Sequence, residues 1–280
     1  MPTTSTDRTV LADLLALDPL VLPAWRAATT AGAFLRDERP RDLVVDTKSN
    51  ATDAVTVMDR TAEAMIVESL IGSRPEDGFL GEEGGERAGT SGVRWVVDPL
   101  DGTTNYLYGL PMWGVSIGAE VDGAGRVGVV VAPDLHEAYI GVRGAGAWLV
   151  RDGRAERMRC GDVTDLAVSL VVTGFNYDPV LRRHQAEVAA GLIAEVRDLR
   201  RLGAACVDLC WLARGRVDAF YERGLNPWDI SAGLVIASEA GAIVSGLGDG
   251  DRAGKDFMLA AAPGIAEALR TRLATLEAAL

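Results

Sequence analysis

The sequence predicts a mixed α/β chain of the α+β type, and three observations carry that expectation. Val93, Trp95, Val96 and Val97 form a β-branched and aromatic run, the composition of a strand covered on both faces. Four short β-type runs follow, at Val115 to Glu120, Arg126 to Val131, Glu137 to Arg143 and Ala147 to Val150, separated by glycine-bearing turns as in an antiparallel meander. Segments with apolar residues at helical spacing stand on either side of this block. The 280 residues suffice for one large unit or for two closely packed halves.

Taken in order, Met1 to roughly Thr9 is polar and expected to fray. Pro19 to Glu38 carries Leu20, Trp25, Ala28, Ala31, Phe34 and Leu35 on one helical face. After Leu43 to Val45, the segment from Lys48 to Asp53 reads as a loop, with Lys48 either a surface lysine or a group reaching an anion. Thr56, with Asp59 three residues on, starts a helix in capping-box fashion, followed by Met58, Ala62, Met65, Ile66 and Leu70 on one face. Asp59 in that first turn complements the helix dipole; a catalytic role requires the fold to bring it beside Thr103. Ala167 to Thr173 reads as a strand, and Asp178-Pro179 opens a helix. A further helix over about Ala204 to Arg214 ends at Gly215, with Cys206 and Cys210 as small core residues. A strand at Val217 to Tyr221, a helix beginning near Asp229, strand pieces at Ala242 to Val244 and Phe257 to Ala261, and a helix from Pro263 complete the chain.

Composition narrows the function. Lys and Arg number 28 against 40 Asp and Glu, a net charge of −12, and no basic run is interleaved with aromatics, so binding to nucleic-acid phosphates is not expected. Cys160, Cys206 and Cys210 form no C-x-x-C pair and have no histidine at zinc spacing, which argues against a disulfide framework or structural zinc and fits a reducing cytoplasm. No apolar run reaches about 18 residues, so no membrane span is expected, and the polar N-terminus does not read as a secretory signal.

The chemistry concentrates where the central strand ends. Pro99 cannot donate to a sheet ladder, so the strand is expected to stop at Asp98 and the chain to turn through Leu100 to Thr103. That turn gathers the Asp98 carboxylate, the Leu100 carbonyl and the Asp101 carboxylate, an oxygen set suited to a hard cation such as Mg2+; the alternative is a solvated Asp-Gly turn. Gly78 to Gly85 is a second apolar run ending in adjacent acids. Because neighbouring residues of an extended chain face opposite ways, only one of Glu82 and Glu83 can face a given site, and Glu82 is the candidate.

Gly81-Glu82-Glu83, then Trp95-Val96-Val97-Asp98-Pro99-Leu100-Asp101-Gly102-Thr103-Thr104-Asn105, then Pro227-Trp228-Asp229-Ile230-Ser231-Ala232-Gly233 resemble the signature motifs of the inositol monophosphatase family, in that order and at comparable spacing. The similarity runs from about Lys48 to Ala240, with Lys48 and Asp53 to Asp59 resembling the family's early lysine and T-x-x-D segment. The resemblance implies a layered α-β-α-β-α sandwich, one domain over residues 1–280 with an N-terminal α+β half (about 10–155) and a C-terminal α/β half (about 156–280). It also implies a homodimer that hydrolyses a phosphate monoester with about two or three Mg2+ ions per site and is sensitive to lithium. Carried over by position, Glu82, Asp98, the Leu100 carbonyl, Asp101 and Asp229 match metal ligands; Asp59, Glu82 and Thr103 match the groups acting on the attacking water. Asp101, Gly102, Thr103, Ala205, Glu222 and Asp229 match the substrate-contacting positions.

A phosphate monoester dianion repels hydroxide, so its hydrolysis needs cations to neutralise charge and activate water, which is what such a carboxylate set would hold. Facing carboxylates repel without metal, so the segment 78–90 is expected to loosen and stability to fall on chelation. The family resemblance favours inositol 1-phosphate, with Glu222 accepting from vicinal hydroxyls; histidinol phosphate is the nearest alternative, its ammonium pairing with the same carboxylate. Fructose 1,6-bisphosphate would need a further cationic pocket, which Arg200 and Arg201 either supply or, as the alternative, leave for a structural role near the dimer contact, and adenosine 3′,5′-bisphosphate would need a base-stacking surface that the sequence does not identify. Tyr106 and Asn226-Pro227 depart from the commoner family residues and are expected to bear on specificity. A non-enzymatic interaction protein on the same fold would be signalled by a lost ligand or a lost Thr103–Asp59 pair, and neither is lost here.

Overall fold

The computed structural model describes residues 8–40, 45–47 and 54–280. The Lys48 to Asp53 loop lies outside these residues. Where fraying was expected, Arg8–Val10 forms a strand (β1) paired antiparallel with residues 154–156, so ordered structure begins earlier than polarity suggested. A short helix α1 (Leu11–Leu15) leads to α2 (Val21–Asp37), which buries Val21, Ala24, Ala28, Ala31 and Leu35 along the predicted stripe. Strands β2 (Val45–Thr47) and β3 (Ala54–Thr56) pair with each other and deliver the chain to α3 (Val57–Ser73). The capping box forms as the spacing predicts: the Met58 N–H donates to Thr56 Oγ1 at 3.0 Å, and the Thr56 N–H donates to Asp59 Oδ2 at 2.9 Å.

The next strands are β4 (Gly78–Gly81), β5 (Gly85–Arg87) and β6 (Val93–Asp101), with the short helix α4 (Thr103–Leu107) after it. The predicted stop at Asp98 is not observed. β6 runs three residues further because its pairing with the next strand slips between Asp98 and Asp101, and this bulge accommodates the ring and missing N–H of Pro99. The meander forms as β7 (Gly114–Val121), β8 (Ala124–Ala132), β9 (Glu137–Val142) and β10 (Gly146–Arg151), with an added strand β11 (Arg154–Arg157). Together they make a nine-stranded sheet in the order β1-β11-β10-β9-β8-β7-β6-β4-β5.

The second half contributes β12 (Leu170–Thr173), α5 (Pro179–Leu192), β13 (Asp198–Arg200), α6 (Ala205–Ala213), β14 (Ala219–Glu222), α7 (Pro227–Glu239), β15 (Ile243–Ser245), β16 (Met258–Ala261) and α8 (Ala266–Ala278). Its five strands are ordered β13-β12-β14-β16-β15, parallel among the first three and antiparallel thereafter. Strand alternation distributes the core. In the large sheet Val129 and Ile140 face α2 and α3, whereas Val130 and Tyr139 face α6 and α7. In the small sheet Val172 and Phe220 face α6 and α7, whereas Val171 and Tyr221 face α5 and α8. The layers therefore stack α-β-α-β-α, the fold expected from the resemblance.

Three glycines set how close α7 lies to the large sheet. Gly118, Gly128 and Gly141 stand in register across β7, β8 and β9 and form a lane without side chains. A Cβ on Gly128 would lie 2.9 Å from the Ala232 carbonyl carbon, and one on Gly141 would lie 2.8 Å from Ile236 Cα. Backbone-to-backbone contact there fixes the N-terminus of α7, and so Asp229, relative to β6. No helix among the described residues is long and apolar enough to cross a membrane.

Candidate active site

The strand ends of both sheets and the first turns of α6 and α7 open on one cavity of about 540 Å³. Glu82 enters it from the end of β4, Asp98, Leu100 and Asp101 from β6, Gly102 and Thr103 from the start of α4, Ala205 from α6, Glu222 from the end of β14, and Asp229 from α7. Residues from five separate stretches of sequence thus share one wall. Three of the carboxylates are each held by a main-chain amide. Asp98 Oδ1 accepts from the Leu100 N–H at 2.9 Å, Asp101 Oδ2 from the Cys206 N–H at 2.6 Å, and Asp229 Oδ2 from the Asn226 N–H at 2.6 Å. The last is the capping box of α7, with Pro227 at its first position, so Asp229 is a helix-start residue and a cavity residue at once.

Asp59 does not line the cavity; it lies buried immediately behind it. Its Oδ1 is 3.1 Å from Thr103 Oγ1, so the fold brings these two residues together. The Leu100 carbonyl is the other acceptor within reach of that hydroxyl, at 3.0 Å, and Asp59 Oδ2 is tied by the Thr56 hydroxyl at 2.5 Å. One proton on Thr103 therefore has two acceptors, and the choice between them orients the hydroxyl oxygen.

The electrostatics are those of crowded, desolvated acids. Burial, then repulsion from Glu82, Asp101 and Asp229, raises the Asp98 carboxyl well above its ordinary range. Asp229 is raised likewise, by burial first and by Asp101 next. Asp101 is raised to about 6 by burial, against the hydrogen bond from Cys206. Glu222 is raised to about 8 by burial, opposed by the Arg201 guanidinium. Burial also raises Asp59, against its bonds from Thr56. Acids that raise one another suit a cation that would lower them all, and an all-oxygen donor set of this kind fits Mg2+. Among the described residues, no three acidic, histidine or cysteine side chains stand, as placed, close enough together to hold a metal ion.

Several cavity residues were not singled out from the sequence. Gly174, Asn176 and Tyr177 follow β12, where ligands are expected at the carboxyl end of a parallel strand, so a strand-end search would have found them. Asp208 was visible as a lone carboxylate in an otherwise apolar helix; it is buried, its Oδ1 has no hydrogen-bond partner, and its carboxyl is raised well above the usual range by desolvation and then by Asp101. Lys255 carries no local signal. Of the two arginines considered, Arg201 lines the cavity, whereas Arg200 is exposed and pairs with Asp198 at 2.5 Å. Tyr106 does not line it. Its hydroxyl donates to the Leu35 carbonyl at 2.7 Å and its ring packs edge-on against Trp113, so that departure from the family pattern sits in the core; Asn226 does line the cavity.

Residues 16–279 match the profile of the inositol monophosphatase family. An inositol-1-monophosphatase of Mycobacterium leprae is 43% identical over 265 residues, 88% of this chain and 90% of that protein. A Nus factor SuhB of Pasteurella multocida is 38% identical over 92% of this chain and 96% of its own. The crystal structure of the extragenic suppressor protein suhB from Bartonella henselae superposes with a TM-score of 0.83 at 33% identity, covering 91% of this chain and 98% of that one. With the layered sandwich, the ordered motifs and this near-complete coverage, the chain belongs to the inositol monophosphatase family.

Proposed function

We propose that this protein hydrolyses a small phosphate monoester, inositol 1-phosphate first among candidates, using water activated at a Mg2+ site. The observation that carries this reading is the convergence of Glu82, Asp98, Asp101 and Asp229 on one cavity whose edge holds the Thr103–Asp59 pair. Glu82, Asp98, the Leu100 carbonyl, Asp101 and Asp229 would hold the metal. Bound there, Mg2+ would supply charge to neutralise phosphate oxygens, lower the pKa of water and stabilise the leaving alkoxide. Asp59 accepts the Thr103 proton, which leaves the Thr103 oxygen free to accept from a water in line with phosphorus. Gly102, whose φ of +89° turns the chain out of β6, and Thr103 present main-chain amides at the start of α4 for phosphate oxygens. Glu222 and Ala205 form the part of the wall that meets the alcohol, with Glu222 accepting from its hydroxyls.

Arg201 and Lys255 on the same cavity support a second reading, in which a bisphosphate such as fructose 1,6-bisphosphate places its other phosphate against them. Histidinol phosphate and adenosine 3′,5′-bisphosphate complete the set to be compared. Phosphate release from the four compounds, with Mg2+ and with chelator, tests the reading; no release from any of them would refute it. The Nus factor names among the relatives support a separate interaction role beside catalysis, in the cytoplasm. A homodimer is expected from the family, and the exposed Tyr108 and Leu110 beside α4 supply apolar surface for it; light scattering at twice the mass of 29.6 kDa is the expected result.

A further inference from the structure

We infer that Glu63 is a positioning residue that clamps the Glu82–Gly84 turn from beneath and so holds Glu82 toward the cavity for a divalent cation, a role that rests on the metal reading above. Glu63 lies on α3 one turn beyond Asp59 and is only 3% exposed. A carboxylate so placed needs partners. Glu63 Oε2 accepts from the Glu83 main-chain N–H at 2.9 Å, and the Gly84 amide lies close enough to the same carboxylate to stabilise its charge.

The turn is shaped around this group. A Cβ at Gly81 would collide with the Glu63 carboxylate, and a Cβ at Gly84 would lie 2.5 Å from Glu63 Oε1. Two of the four glycines in this stretch are therefore explained by the approach of one side chain. Glu82 sits between the fixed points: its own N–H donates to the Val97 carbonyl of β6 at 3.3 Å, and the next amide belongs to Glu63. With both flanking peptides anchored, the Glu82 side chain is directed to the cavity, whereas Glu83 does not line it. One helix thus supports both halves of the site, Asp59 behind Thr103 and Glu63 beneath Glu82. Residues that orient a metal ligand without touching the metal typically change its affinity by roughly 10- to 100-fold when lost.

The test uses Glu63→Ala, which removes the carboxylate that anchors the turn, and Glu63→Gln, whose amide oxygen can still accept from the Glu83 N–H. Amide hydrogen exchange at Glu83 and Gly84 in metal-free protein, the Mg2+ concentration at the midpoint of the Tm rise, and phosphate release against Mg2+ are measured together. For Glu63→Ala we expect about tenfold faster exchange at both amides, a Mg2+ midpoint raised about tenfold, and kcat recovered to within about threefold at saturating Mg2+. Glu63→Gln should fall between this variant and the parent. Unchanged exchange, an unchanged Mg2+ midpoint, or a kcat that excess Mg2+ does not restore would each overturn the clamp. If Glu63→Ala does not fold, a Glu63→Gln midpoint equal to that of the parent overturns it. A parent protein whose Tm ignores Mg2+ would overturn the metal reading and with it the purpose of the clamp, while the exchange at Glu83 and Gly84 reports the clamp's geometry separately.

Discussion

Asp101→Asn separates a metal ligand from a structural acid. Asp101 is held at about 6 against an ordinary 3.8, which for a fully desolvated carboxylate amounts to about 3 kcal/mol of folding free energy lost once it ionises. Its side chain keeps partial contact with solvent through the cavity, and screening reduces this to about 1–2 kcal/mol. Asparagine keeps an oxygen for the Cys206 N–H at 2.6 Å but without charge, a weakening of about 1 kcal/mol. The opposing effects nearly cancel, so above pH 6 the metal-free variant should match the parent's stability to within about 1 kcal/mol, or about 2–4 °C in Tm. Its Tm should no longer respond to Mg2+ in the parent's range, and phosphate release should fall to background. Thermal unfolding in chelator and in Mg2+, beside phosphate release, measures all three. Retained Mg2+ stabilisation, or a metal-free loss of several kcal/mol as expected for breaking a buried structural pair, would refute the reasoning.

Other predictions address the same wall. Thr103→Val keeps the volume and removes the hydroxyl donated to Asp59, so kcat should fall by about 100-fold or more with the Mg2+-dependent Tm rise intact; near-parental kcat would exclude Thr103 from the proton path. Glu222, at about 8 in the folded state and 4.5 ordinarily, keeps its proton between those values when the unfolded chain has lost it, so metal-free stability should fall as pH rises from about 4.5 to 8. Glu222→Gln should flatten that slope in a Tm–pH series, and an unchanged slope would assign it elsewhere. Gly128→Ala should destabilise by about 1–3 kcal/mol in denaturant unfolding, because its Cβ would collide with the Ala232 carbonyl of α7; a neutral effect would mean that α7 is not seated by that lane.

What could be read from the residues depended on how local its cause is. The β-branched run into β6, the Thr56–Asp59 capping box and the Gly215 helix end are set by neighbours in sequence, and each appears at or near its expected place. Pro99 misled because its missing N–H is compatible with a bulge as well as with a strand end, and only the pairing with β7 decides. β11, with Arg154, Glu156 and Arg157 around Ala155, has no apolar alternation to betray it and owes its existence to its neighbours β10 and β1. Tyr106 illustrates the same limit at a side chain: on a five-residue helix the periodicity is too short to tell core from cavity. The motif residues were legible as a set. That Asp59 stands behind Thr103, or that Glu63 supports the turn carrying Glu82, depends on how α3 docks against the large sheet, which no local pattern encodes.

The most direct measurement is phosphate release from inositol 1-phosphate by the purified chain, titrated with Mg2+ and then with excess chelator. The account predicts turnover that rises with Mg2+, disappears on chelation and returns when Mg2+ is restored. Turnover indifferent to chelator, or none with any of the four phosphate esters at saturating Mg2+, would contradict it.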